Sequence, residues 1–133
     1  MKKFCGFIIF ILSVVSCKKN NQAAAIVPGD YAGTFIRTIG STDSTATIRM
    51  NFSGGRFSGE SDNPRYPGIC EGGYEIIGDS ISFGNDCFVP GDYRNSTRLY
   101  GNYTLTVRGD SVIFSRTIGD FVYEADFYRL KKQ

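Results

Sequence analysis

After Pro28 the chain alternates apolar and polar residues in short runs broken by glycine-containing pairs, and no stretch repeats at the helical period. A period of two with frequent turn signals marks half-buried β-strands. The pattern predicts eight of them, over residues 30–39, 45–53, 56–61, 69–77, 80–87, 99–108, 111–118 and 120–130. Four connections have the composition of tight hairpin turns: Gly54-Gly55, Gly78-Asp79, Gly109-Asp110 and Gly119-Asp120.

The segment from Cys70 to Cys87 organises the rest. With Gly78-Asp79 as a two-residue loop, Ile77 faces Ser80, Ile76 faces Ile81, Tyr74 faces Phe83 and Cys70 faces Cys87. The cysteines then form a non-hydrogen-bonded pair with Cα atoms about 4.5 Å apart, within the reach of a disulfide. Closing this loop would contribute about 3 kcal/mol. The register puts Cys70, Tyr74, Ile76, Ile81, Phe83 and Cys87 on one face. Glu71, Glu75, Ser80, Ser82 and Asp86 fall on the other.

The same counting chains the remaining strands. Across Gly54-Gly55, Phe52 faces Phe57 and Met50 faces Gly59. Across Gly109-Asp110, Leu105 faces Phe114 and Val107 faces Val112. Across Gly119-Asp120, Phe114 faces Ala125, Val112 faces Phe127 and Arg116 faces Tyr123. Tyr31 and Phe35 add the inward face of the first strand, beside Ile48. One buried side on every strand predicts an all-β protein: an eight-stranded antiparallel up-and-down barrel, with a two-sheet sandwich as the alternative. In such a meander residues 40–44, 62–68, 88–98 and the Gly119-Asp120 turn share one rim, the mouth. The other three glycine turns and both chain ends share the opposite rim.

The N-terminus has a different character. Lys2 and Lys3 precede the apolar run Phe4–Val15, too short to span a bilayer, which takes about 20 residues, and suited to a signal peptide. The run ends in Val14-Val15-Ser16-Cys17, which resembles the lipobox of bacterial lipoproteins. That likeness implies cleavage before Cys17, lipid on Cys17 and a membrane-anchored chain, and the lack of the acidic run that some surface-exported members carry after the cysteine favours a chain facing the periplasm. Lys18-Lys19-Asn20 after the cysteine is similar in style to lipoproteins of the Bacteroidetes. The organisation expected is a signal peptide at 1–16, a lipidated cysteine with a flexible linker at 17–28, and a barrel domain at 29–133. Of the four cysteines, Cys5 leaves with the signal and Cys17 takes lipid, so Cys70 and Cys87 remain as one pair, oxidised outside the cytoplasm.

Gly29-Asp30-Tyr31-Ala32-Gly33, opening the first strand, resembles the Gly-x-Trp start of the lipocalin-like (calycin) barrels, with Tyr31 in the tryptophan position. The resemblance implies that an arginine late in the last strand, here Arg129, covers that ring.

Charge excludes one partner class. The chain has 15 basic and 13 acidic side chains; loss of Lys2 and Lys3 leaves 13 of each, which gives no case for nucleic acid. The absence of histidine removes the commonest general base and the usual zinc ligand. No nucleophile–base–orienter set is visible, and Glu71 with Glu75 reads as a solvated pair. The expectation is therefore a non-catalytic protein without metal or cofactor. Arg108-Gly109-Asp110 reads as a turn rather than an adhesion tripeptide, and the Asn51, Asn95 and Asn102 sequons carry no meaning in a bacterial lipoprotein.

Two binding modes remain. Arg37, Tyr103, Arg116 and Tyr123 fall inward in the mouth half of neighbouring strands. They can hold the anionic head of a small amphipathic ligand inside the barrel, or the arginines can simply snorkel to the rim over aromatic rings. Tyr66, Phe88 and Tyr93 lie on the mouth loops beside prolines. They can contact an envelope protein, as an inhibitor or envelope component would, or fold down as a lid.

Overall fold

The computed structural model describes residues 24–86, 97–120 and 122–133. Eight strands follow in order: β1 (Gly29–Ile39), β2 (Thr42–Ser53), β3 (Arg56–Ser61), β4 (Glu71–Ile77), β5 (Ser80–Asn85), β6 (Gly101–Arg108), β7 (Ser111–Ile118) and β8 (Glu124–Lys132). Each pairs antiparallel with the next, and β1 pairs with β8 from Tyr31↔Lys132 to Ile39↔Glu124, so the meander closes into a barrel. Closure leaves one continuous sheet rather than the two of a sandwich.

Glycines set three of the registers as the turn chemistry requires. Gly54 and Gly55 both have positive φ, 58° and 76°, the signature of a type I′ hairpin. Gly78 and Gly109 take positive φ alone, at 62° and 59°, with an aspartate following. The pairs Phe52↔Phe57, Tyr74↔Phe83, Ile76↔Ile81, Leu105↔Phe114 and Val107↔Val112 result. Asp86 N–H donates to the Glu71 carbonyl at 2.9 Å, which carries the β4–β5 ladder to the edge of Cys70. Cys70 is disulfide-bonded. Its expected partner Cys87 lies outside the described residues, as do Cys17, Phe88 and Tyr93.

Four expectations need correction. Residues 40–44 are not a long loop: Gly40, at φ 63°, allows a two-residue turn, and the ladder resumes at Ile39↔Thr42. The Thr38 hydroxyl donates to Asp43 at 2.6 Å across that extension. The β7–β8 connection is not a two-residue turn at Gly119-Asp120. It spans residues 119–123, and Val112 pairs with Leu130, Phe114 with Tyr128 and Arg116 with Asp126. The shift is three residues; an odd shift exchanges the two faces of a strand, so Asp126, Tyr128 and Leu130 turn inward in place of Ala125 and Phe127. Arg129 consequently points outward, exposed, with its guanidinium 5.5 Å from the Phe127 ring and not over Tyr31. Finally, the linker ends earlier than residue 28. Ile26 is buried in the core, Ala24 packs against it, and the Tyr31 hydroxyl donates to the Val27 carbonyl at 2.7 Å. The segment 24–27 stoppers the rim opposite the mouth.

The interior is filled by rings. Phe57, Phe83, Phe114, Tyr128 and Phe35 form a connected series with centroids 4.5–5.3 Å apart, the Phe114–Tyr128 pair stacked at 18°. Tyr31 and Phe52 meet edge to face at 5.5 Å near the stoppered rim. Eight strands enclose a lumen that side chains can fill, and the aromatic composition of the inward positions fills it here.

Burial of Ile26 has a measurable consequence. Ile26→Ala should lower the free energy of unfolding by at least about 2 kcal/mol, as truncation of a core isoleucine does. Val27→Ala, one residue on and exposed, should change it by less than about 0.5 kcal/mol. Urea denaturation of the two variants reads the difference; equal effects would return residue 26 to the linker.

Candidate functional site

The mouth is built around one carboxylate. β8 lies between β1 and β7, and at Asp126 both cross-strand neighbours on the inner face are arginines: Arg37↔Asp126 and Arg116↔Asp126. Asp126 is fully buried and Arg37 is 4% exposed. Arg37 Nε and Nη2 each donate to Asp126, at 2.7 Å to Oδ1 and 2.7 Å to Oδ2, a bidentate fork. Arg116 Nε donates to Oδ2 at 3.0 Å from the other side. Glu124, two residues before Asp126 on the same face, lies 3.5 Å from Arg37 Nη1. A carboxylate out of water needs such partners, since an uncompensated buried charge costs several kcal/mol. Burial alone would depress the Arg37 pKa. Its hydrogen bonds to Asp126 and the charges of Asp126 and Glu124 together outweigh burial and hold that pKa above its ordinary value.

Arg116 also fastens the loops above it. Its Nη1 donates to the Tyr100 carbonyl at 2.6 Å and its Nη2 to the Arg98 carbonyl at 3.1 Å. The tethered strip 97–100 runs parallel to the loop after β3: Gly68 N–H donates to Thr97 O at 2.8 Å, and Leu99 N–H to Gly68 O at 3.1 Å. Leu99 is fully buried beneath this bridge. Tyr66 is half-buried, its ring 6.2 Å from Phe35 and 5.7 Å from the Arg37 guanidinium. Of the two arrangements open to Tyr66, the structure has it folded down as part of a lid.

The sequence-predicted set is thus partly assembled. Arg37, Tyr103 and Arg116 do converge, with the Arg116 guanidinium 4.7 Å from the centre of the Tyr103 ring. Tyr123 does not join them; it is 60% exposed, because the longer β7–β8 connection leaves it ahead of the strand. Asp126 takes the inward place instead. Both arginines donate to Asp126, so the three side chains form a closed ion cluster at the mouth end of the interior.

Below the cluster, the hydroxyls of Tyr103 and Tyr128 are buried beside each other. Burial pushes both phenols well above their ordinary value of 10.0; for Tyr103 the charge of Arg116 pulls the other way but does not prevail. A cleft of about 490 Å³ is lined largely by residues of β1–β3, and one of about 450 Å³ largely by residues of β1, β7 and β8, with Arg116, Tyr123 and Asp126 at its border. No protein-family model, curated protein or solved structure matches the chain.

Two outcomes follow from this geometry. Asp126→Asn keeps the shape of the side chain but removes the carboxylate charge that the two guanidiniums share, with Glu124 still beside Arg37. Its unfolding free energy should fall by about 3–5 kcal/mol, and Arg116→Gln, at a more accessible position, should cost less. Denaturant titrations check the order. The buried phenols set an alkaline limit. Unfolded, Tyr103 and Tyr128 lose their protons near pH 10; folded, they keep them to higher pH. Their contribution to stability is therefore complete below pH 10 and declines as pH rises above it. Melting temperatures measured across that range should fall less steeply in Tyr128→Phe.

Proposed function

We propose that the chain is a lipid-anchored, non-catalytic binding module of the cell envelope, and that it meets a protein partner with the rim of its closed mouth. The observation that carries this reading is the placing of exposed apolar side chains. Four of the six large exposed hydrophobics among the described residues, Ile39, Tyr100, Val122 and Tyr123, sit at the mouth; each is at least half exposed. They are held on a stiff frame. Gly40 N–H donates to the Tyr123 carbonyl at 2.8 Å, which fixes the β7–β8 connection against the β1–β2 turn. Tyrosines on a rigid support are favoured contact residues, because little side-chain entropy is lost when they bind. Tyr123 thus changes role, from interior ligand contact to rim contact.

A small anionic or amphipathic ligand inside the barrel is less well supported. The lumen is occupied by aromatic rings, and Asp126 already takes the donors of Arg37 and Arg116 that an acidic head would need. The envelope location rests on the lipobox-like stretch ending at Cys17, and the pairing of Cys70 with Cys87 belongs to the same exported setting.

A photo-crosslinking residue at Tyr123 or Ile39, in cells that make the protein, should yield an adduct of defined mass. The same residue at Thr106, exposed on the outer wall, should not. Adducts at every position, or none at the rim, would reject the mouth as a contact surface. A stoichiometric small molecule retained by the purified protein in native mass spectrometry would restore the interior-ligand reading.

A further inference from the structure

The rim opposite the mouth has features that the mouth contact does not use. The chain leaves the domain there, since Ile26 is seated in that rim and Ala24 packs beside it. Six residues separate Ala24 from Cys17, at most about 25 Å of extended chain. A lipid on Cys17 therefore keeps this rim close to the membrane surface. The same rim displays Ile77, the most exposed large hydrophobic among the described residues at 70%, and Val27 at 51%. Ile77 stands at the tip of the β4–β5 hairpin, on the outward side, where the barrel offers it nothing to pack against. Cationic side chains flank these two. Arg108 is exposed beside the β6–β7 turn, and Lys131 and Lys132 end β8. Lys18 and Lys19 add two charges in the tether.

We propose that this rim is a lipid-docking face. With the chain anchored through Cys17, Ile77 and Val27 rest in the interfacial layer of the bilayer, and Arg108 and Lys132 meet lipid phosphates. The inference rests on the lipid-anchor reading. Acidic groups on the rim limit the depth of contact: Asp110 pairs with Lys131 at 3.7 Å, and Asp79 is exposed next to Ile77. The result is a surface seat with isolated apolar contacts, which adds to the lipid on Cys17 and sets the orientation of the barrel on the membrane. Seating this rim points the mouth, with Tyr100, Val122 and Tyr123, away from the lipid.

The chain contains no tryptophan, so a single introduced indole reports its own surroundings. The full chain, in lipidated form, is prepared as Ile77→Trp and as Tyr123→Trp in vesicles of phosphatidylethanolamine and phosphatidylglycerol. Replacing ordinary acyl chains with brominated ones should remove most of the emission of Ile77→Trp and leave that of Tyr123→Trp intact. Adding Arg108→Glu to Ile77→Trp should weaken the quenching; undiminished quenching would remove Arg108 from the contact. An unquenched Ile77→Trp, or the reverse pattern with Tyr123→Trp quenched, in protein whose mass includes the lipid, overturns the docking and leaves the anchor standing. An unmodified Cys17 in that mass measurement removes the anchor, and the docking with it.

Discussion

A carboxylate with no access to water sits where three strands meet, and both of its cross-strand neighbours are arginines. Asp126 joins β1, β7 and β8 through donors from Arg37 and Arg116. These strands include the two ends of the meander, so the ion cluster bridges the seam at which the sheet closes on itself. Arg116 extends the link outward to the carbonyls of Arg98 and Tyr100 and draws the mouth loop down. Closure of the barrel and closure of its mouth therefore depend on one charge. Buried ion pairs of this kind contribute modestly to net stability relative to an apolar replacement, yet they are costly to half-remove. Their geometric demand selects one register of β8 over its neighbours, because a slip of one residue would turn Asp126 outward and strand both arginines.

Among the described residues the rest of the interior is packed from one rim to the other. Ile26 stoppers one rim, Leu99 and Tyr66 cover the other, and aromatic rings fill the distance between them. Edge-to-face and tilted contacts suit such a lumen, since each ring edge meets the face of its neighbour. The large exposed apolar side chains among the described residues therefore lie at the rims of the barrel and not in its lumen.

Much of this was legible in the residue pattern. Where a glycine turn holds two residues, counting outward placed Phe52 against Phe57, Tyr74 against Phe83 and Leu105 against Phe114, and those pairs hold. Counting failed at Gly119-Asp120, for a physical reason. The segment Val122–Leu130 carries apolar residues at both parities, so alternation alone does not say which side is buried. Tyr123, Ala125 and Phe127 at one parity compete with Val122, Tyr128 and Leu130 at the other, and an aspartate is the last residue one would place in a core. The clue lay elsewhere, in Arg37 and Arg116. Two inward arginines require a buried acid, and an odd shift of β8, which turns Glu124 and Asp126 to the inner face, supplies one. Ile26 was obscured differently: a lone isoleucine in an alanine-rich tether has no periodicity to betray its burial.

The seating of Ile26 also bears on how the molecule carries load. The segment 24–27 leads through the bend at Pro28 into β1, the longest-paired strand of the barrel, bonded to β2 over eleven residue pairs from Gly29↔Phe52 to Ile39↔Thr42 and to β8 along most of the same length. A pull on the tether acts along the axis of β1. Ladder hydrogen bonds lie across that axis, so both ladders are loaded in shear together and must give way as a set instead of parting one bond at a time. The same short segment that closes the barrel thus makes its attachment point mechanically strong. A protein held to one surface while its opposite rim grips a partner would resist being drawn apart between them.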